Sequence, residues 1–454
     1  MLHTCVDIGS SLLTNCNAVI ATINAYLSTP MLLLVFAAGT IMTVAFDFVQ
    51  FRYFFASWGY IFKPEPMQGE SRQNISPLQA FLGALSTSMG NGSLVGMGVA
   101  IFEGGPGAAF WIFVLGFFTM VIRFAEIYAS TAFTITTEYG VRGGPMVYLS
   151  KVPGGAYLPY VYAFFALLLA LVTGNAMQCN SMASGIQTMT GLNMYVIAFI
   201  LFAFVLYVVL GGADRIIKFS DTLAPLKVAL FLLATIAVLG YFYADIFAAL
   251  TLIARAAFSR EAFIGGLAGH TMANAIRFGV SRTLSATEAG LGNAGILFGA
   301  AGNVNPTKSG IMSMASTFIS TQIVCFLMML TFVVSGVWNS GDCGMPLVIA
   351  AYSSVFAGFG GWIATTLSVM FGMGVLVAYA FVGRECWLFL THGRWSNAYY
   401  IIYCAMAFGG SLVSARVVFC VIELIVIGMI FCNLYGLLYL LPQMRRGWRA
   451  HLEK

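Results

Sequence analysis

Charge is what this chain has least of. Asp, Glu, Lys and Arg make up 8% of its 454 residues, while 60% are hydrophobic and the mean hydropathy is +0.90. Soluble domains carry about 25% charged residues, so a water-facing globular fold is excluded. Histidine is scarce as well: His3, His270, His392 and His451 stand far apart, and only His270 falls in an apolar run. The nine cysteines (Cys5, Cys16, Cys179, Cys325, Cys343, Cys386, Cys404, Cys420, Cys432) show no CxxC or Cys/His spacing. A Cys/His metal centre is therefore not expected, and the cysteines read as small buried hydrophobes. No nucleophile–base set supports an enzyme, and no Walker pattern supports a nucleotide-driven pump. No filter repeat supports a channel. The net charge of +5 carries no nucleic-acid signal, because the basic residues are sorted by membrane side. The N-terminus is polar, without Lys or Arg ahead of the first apolar run, and is not expected to be a cleavable signal peptide.

What is abundant is apolar length. Runs of about 20 residues, enough to cross a bilayer core, predict eleven spans: 29–49, 78–102, 107–130, 156–187, 192–211, 218–243, 262–300, 308–337, 361–383, 397–413 and 416–441. Segment 345–358 is too short and too rich in Ser and Gly to cross, and reads as re-entrant or superficial. With eleven spans, fourteen basic residues fall on one side, among them Arg52, Lys63, Arg72, Lys308 and Arg445. Three (Arg255, Arg260, Arg416) fall on the other, and four (Arg123, Lys227, Arg277, Arg282) lie within spans. The positive-inside rule then places the N-terminus outside and the C-terminus in the cytoplasm. The expected location is a cell membrane of the bacterial inner-membrane type. Arg445-Arg446-Gly447-Trp448-Arg449 is expected to anchor the cytoplasmic end, with Trp at the headgroups.

Two spans are interrupted by glycine and small polar residues. The first holds Ser86-Thr87-Ser88-Met89-Gly90-Asn91-Gly92-Ser93. The second, five spans later, holds Asn274 through Thr283 and then Thr287-Glu288-Ala289-Gly290-Leu291-Gly292-Asn293. Small residues serve a close helix crossing. They also serve a helix that unwinds around a solute, which is how secondary transporters build their sites. With the first span set aside, the interruptions fall in helices one and six of a ten-helix core. Their odd separation gives them opposite directions across the membrane, the layout of a five-plus-five inverted repeat. The expected fold is thus an all-α polytopic membrane protein of about eleven helices, with two discontinuous helices and one extra N-terminal span. The expected divisions are an extracytoplasmic N-terminus (1–28), an extra span with its cytoplasmic loop (29–75), a first repeat (76–243), a second repeat (244–441) and a cytoplasmic tail (442–454).

Gly104-Gly105-Pro106-Gly107-Ala108, Arg123-Phe124-Ala125-Glu126, Gly143-Gly144-Pro145-Met146, Asn175 through Ser181, and Phe278-Gly279-Val280-Ser281-Arg282…Glu288-Ala289-Gly290-Leu291-Gly292 occur in this order. With these pieces the chain resembles the alanine or glycine:cation symporter family, within the amino acid–polyamine–organocation superfamily, from Phe51 to about Cys386. The resemblance implies a bacterial leucine-transporter-like core and import of a small neutral amino acid with sodium by alternating access, with no cofactor beyond the coupling ion. It implies that Gly90, Asn91, Gly92 and Ser93, together with Phe278 and Gly279, hold the substrate backbone. Gln178 would make a polar contact to the substrate, or else an interhelical hydrogen bond. Arg282 and Glu288 read as a gating or structural pair, and Arg123 and Glu126, three residues apart on one helix face, read as another.

The chain also departs from the family pattern. Where the family has Gly-Thr-Gly-Asn, this chain has Gly90-Asn91-Gly92-Ser93. In the ninth span the family's hydroxyl residues are replaced by Gly374 and Val375, and its Gly-Trp by Ala378 and Tyr379, which would take the place of a wall of the substrate pocket. A sodium site would lose hydroxyl ligands there. Lys227 stands in the sixth span, where a lysine costs about 3 kcal/mol and needs a reason. Either its ammonium replaces sodium, making transport sodium-independent with proton coupling or exchange, or it snorkels to the interface. Glu423, in the last span, is either a proton-titrating carboxylate or a paired one.

Overall fold

The structure is a computed structural model that describes residues 24, 26–62, 76–137, 140–258, 272–301, 305–413 and 415–453. Lys63, Arg72, Arg260 and His270 lie outside these. Apart from a short antiparallel hairpin pairing Ile135–Thr137 with Gly140–Arg142, its regular structure is helical. The main helices are α1 (Tyr26–Ala45), α2 (Pro77–Ser88), α3 (Asn91–Gly104), α4 (Gly107–Ala132), α5 (Leu158–Thr190), α6 (Met194–Leu210), α7 (Gly212–Tyr241), α8 (Met272–Thr287), α9 (Asn293–Gly299), α10 (Pro306–Val334), α11 (Gly360–Leu390), α12 (Ser396–Leu412) and α13 (Ala415–Leu452).

Among the described residues, seven helices are long and apolar enough to cross a bilayer: α1, α4, α5, Thr222–Tyr241 of α7, α10, α11 and Val421–Leu452 of α13. The other expected spans take different forms. Segment 78–102 is divided between α2 and α3, and the described part of 262–300 between α8 and α9. Runs 192–211 and 397–413 are single helices, α6 and α12, of 17 residues each, about 25 Å long at 1.5 Å per residue. The 345–358 segment carries a short helix, Met345–Ser353.

Local sequence sets the helix starts. Ser76 and Gln79 form a reciprocal capping box ahead of Pro77 on α2, and Asn305 accepts from the Thr307 and Lys308 amides ahead of Pro306 on α10. Wider π-turns interrupt α5 at Val172–Ala176 and α10 at Ile319–Cys325, a distortion often found at functional sites. Helix α4 packs against α8 and α10, and α11 packs against α5 and α7. The periphery exposes Tyr195, Phe199 and Tyr207 of α6 with Leu233 and Ile236 of α7, the surface a lipid-facing helix needs.

Trp448 corrects one expectation. It is fully buried rather than placed at headgroups, with its ring against Phe46, Tyr53 and Phe124 and its indole N–H donating to Asp47 at 3.2 Å. The reason is that α13 runs on unbroken to Leu452, so its last turns still pack on the bundle. Arg445 and Arg446 on the same turns stay exposed.

Candidate functional site

The first interruption is narrow. Helix α2 ends at Ser88, Met89 and Gly90 leave helical geometry, and α3 starts at Asn91. Such a break orphans carbonyls on one side and amides on the other. Lys227 of α7, fully buried, meets the carbonyls: its Nζ donates to Ser86 O at 3.0 Å and Met89 O at 2.7 Å. A cation there also faces the negative end of the α2 dipole. Gln178 of α5 meets the amides, its Oε1 accepting from Asn91 N at 2.9 Å while its Nε2 donates to Thr173 O at 3.0 Å in the π-turn. The Asn91 side chain is committed to α11, donating to Ser368 O at 3.1 Å and accepting from the Ser368 hydroxyl at 2.8 Å. Ser93 turns its hydroxyl back to Ser88 O at 3.3 Å.

Gly374 and Val375 close this site from α11. The Ser86 hydroxyl donates to Gly374 O at 3.2 Å, and a Cβ on Gly374 would lie 2.9 Å from the Lys227 Nζ. At Gly90 a Cβ would stand 2.6 Å from Val375 Cγ2 and 3.1 Å from both Gln178 amide atoms. Gly90→Ala is therefore expected to lower stability by about 1–3 kcal/mol through overpacking and to displace Gln178. Adding Val375→Ala should recover most of that loss. Thermal unfolding of both single variants and the double tests this, and strictly additive losses would refute the contact.

The second interruption is wider. Helix α8 ends at Thr287, Glu288 through Gly292 form the break, and α9 starts at Asn293. Glu288, Gly290 and Gly292 have φ of 56°, 88° and 83°, and for Glu288 that left-handed geometry is strained. An ion pair spans the gap. Buried Arg123 donates from Nη2 to Thr287 O at 2.6 Å and from Nη1 to Glu126 Oε2 at 3.2 Å. Glu126 Oε1 in turn accepts from Gly292 N and from Asn433 Nδ2 of α13, both at 2.8 Å. Asn433 Nδ2 also donates to Gly290 O at 2.9 Å and its Oδ1 accepts from the Tyr148 hydroxyl, while Tyr162 donates to Leu291 O at 2.8 Å. The Tyr379 hydroxyl donates to Glu288 Oε1 and accepts from Asn293 Nδ2 at 2.8 Å.

The two breaks share one electrostatic plan: a side-chain cation on the carbonyl end of one half-helix, and a side-chain oxygen on the amide end of the next. They also lie close together, since the space beside Gly92 is bounded by Ser285 O, Ala286 Cα and Met177 Cε.

Two expectations are corrected by this geometry. Phe278-Gly279 is not a break: α8 is continuous there. Gly279 serves close packing instead, because a Cβ would lie 2.9 Å from Ala108 O of α4. Arg282 forms its ion pair with Glu423 of α13, Nη2 to Oε1 at 3.2 Å, rather than with Glu288. The helix ends between Arg282 and Glu288, and six positions along it would in any case turn them to different faces. Glu423 is the paired carboxylate of the two alternatives and also accepts from Asn24 at 3.3 Å. Tyr379 is not a free wall residue but a link in the second network. Sequence reasoning missed Ser368, Tyr148, Tyr162 and Asn433, and gave Asn293 no role beyond the interruption. Asn433, a lone amide in the apolar run from Ile427 to Leu441, was the detectable one.

A bundle of apolar helices in which two interrupted helices face each other is the architecture of a membrane-embedded carrier. The comparisons say which kind. The sodium:alanine symporter family model matches residues 13–454, and the chain belongs to that family. It is 30% identical over 433 residues to the sodium/alanine symporter AgcS of Methanococcus maripaludis, covering 93% of this chain and 94% of that one. It is 28% identical over 400 residues to the amino-acid carrier protein AlsT of Bacillus subtilis, covering 87% and 83%. Among solved structures it is similar to a Na+-coupled sialic acid symporter in a substrate-bound outward-open state, with TM-score 0.51, 12% identity and coverage of 90% and 86%. That likeness bears on the fold. The protein is thus a multi-pass membrane transporter of a sodium:amino-acid symport family, and not an enzyme.

Proposed function

We propose that the chain imports a small neutral amino acid, alanine or glycine in size, together with a cation by alternating access. The reading includes eleven spans: α1 as an extra N-terminal span, then two five-helix repeats over 76–243 and 244–441, with the N-terminus outside and the C-terminus cytoplasmic. The observation that carries it is the pair of facing breaks, each capped by a cation and an oxygen acceptor. The α3 N-terminus at Gly90–Ser93 offers partial positive charge to a substrate carboxylate, and Gln178 is placed to exchange its bond with Asn91 N for one with substrate.

A second observation favours the resident-ammonium reading of Lys227. Its Nζ lies on the carbonyls of Ser86 and Met89 beside Gly374, where α11 itself offers no hydroxyl, and full burial speaks against snorkelling. In this reading Lys227 supplies the positive charge at the first break, and any coupling sodium binds elsewhere. The alternative remains a carrier that needs no sodium and uses protons or exchange.

Uptake of labelled alanine and glycine into proteoliposomes, under an inward sodium gradient and separately under an inward proton gradient, tests the proposal. Sodium-driven accumulation supports symport. Accumulation with protons only, or exchange with neither, supports the alternative. No uptake under any gradient overturns the assignment of substrate class.

A further inference from the structure

We infer that Glu288 and Asn293, at the two ends of the second break, form the oxygen core of a sodium site. The inference rests on the reading of the chain as a cation-coupled carrier and names a place for the ion. Among the described residues, Glu288 Oε2 is the one buried carboxylate oxygen without a hydrogen-bond partner. Asn293 Oδ1 is likewise buried without one. Both residues are almost wholly inaccessible, Glu288 at 2% and Asn293 at 0% exposure. Leaving an acceptor so deep without a donor is costly, and more so for a charged one, so two such oxygens on residues that share one tyrosine hydroxyl call for a positive guest.

The neighbourhood fits a hard monovalent cation. Tyr379 ties the two residues to each other, donating to Glu288 Oε1 and accepting from Asn293 Nδ2, which turns the remaining oxygen of each away from that bond. The Thr87 hydroxyl of α2 stands beside Glu288 and gives its own proton to Ala84 O at 2.9 Å, leaving its oxygen as a further ligand. Carboxylate, amide and hydroxyl oxygens without sulfur or imidazole are a donor set for hard cations.

The charges facing Glu288 are accounted for by element. Lys227 on α7 and Arg123 on α4 are within electrostatic reach, but Arg123 is paired with Glu126 and Lys227 is held on the first break's carbonyls. Neither donates a hydrogen bond to Glu288, whose Oε2 carries none. Because Thr87 belongs to the first broken helix and Glu288 to the second, an ion bound here would bridge the two, and its arrival would draw the breaks together.

The test uses purified full-length protein in detergent without any amino acid. Unfolding temperature is followed as sodium chloride replaces choline chloride at constant ionic strength. The wild type is expected to be stabilised by sodium in a saturable manner. Glu288→Gln should shift the half-saturating sodium concentration upward by at least about tenfold. Asn293→Asp, which adds a second carboxylate, should lower it, and this arm holds even if Glu288→Gln fails to fold. An unchanged sodium response in Glu288→Gln, or Asn293→Asp with wild-type sensitivity, overturns the site. So does a wild type that responds to pH and not to sodium, which would assign Glu288 to a proton. Transport plays no part in the readout, so loss of the substrate assignment would leave this result standing, and the reverse.

Discussion

Arg123→Met is expected to yield little folded transporter. The guanidinium is 1% exposed and makes three contacts: Glu126 at 3.2 Å, Thr287 O at 2.6 Å and Thr317 Oγ1 at 3.4 Å. Removing it strands a buried carboxylate and frees the carbonyl end of α8. Breaking one partner of a buried pair costs about 3–5 kcal/mol, a large part of the ~5–15 kcal/mol that holds a typical protein folded. Glu126→Gln in the same background should return much of the loss, because the amide oxygen still accepts from Gly292 N and Asn433 without carrying charge. Fluorescence-detected size exclusion and thermal unfolding of the two variants measure this. Arg123→Met as stable as wild type would mean that the pair does not brace the second break.

Lys227→Met should abolish most transport, lowering uptake by more than about tenfold, for a different reason. Methionine fills the space of the aliphatic stem but leaves Ser86 O and Met89 O without their donor. Each buried orphan costs about 1–3 kcal/mol, and the cost falls on the C-terminal end of α2 at the first break. Lys227→Arg should not rescue. The Nζ lies against the backbone of Gly374, where a Cβ would be only 2.9 Å away, and a planar guanidinium is wider than an ammonium. If an alkali cation can take the emptied position, uptake by Lys227→Met will gain a new dependence on sodium concentration. Wild-type uptake with unchanged ion dependence would show that Lys227 plays no part in coupling.

Much of this was legible in the sequence, because hydrocarbon leaves a chain few options. An apolar run of membrane length must be helical, and a Gly-Asn-Gly-Ser insertion within one must be either a crossing or a break. The break at Gly90 and the oddity of Lys227 follow from that logic, while the role of Gln178 at the site came from the family resemblance. The second break was harder to locate. Glycine signals unwinding and close packing alike: Gly279 does the second, against Ala108, and Gly290 and Gly292 do the first. Pairing of charges was misjudged for a related reason. Whether Arg282 meets Glu288 or Glu423 depends on where α8 ends, and on α13, which lies more than a hundred residues away in sequence. The amide and phenol partners at the second break have the same origin. Asn433, Tyr148 and Tyr162 come from separate segments that only the packed bundle brings together.

Trp448 has a consequence for how the molecule is made. Its indole closes on Asp47 across 401 residues of chain. At about 5–20 residues per second, translation between those points takes about 20–80 s. Throughout that time α1 has entered the bilayer while the aromatic seat formed by Phe46 and Tyr53 awaits its partner. The Asp47–Trp448 contact therefore forms late in synthesis, whereas α1 already meets α4 through Phe36 and Phe118. A chain released before residue 448 would leave Phe46, Tyr53 and Asp47 without the indole that packs on them.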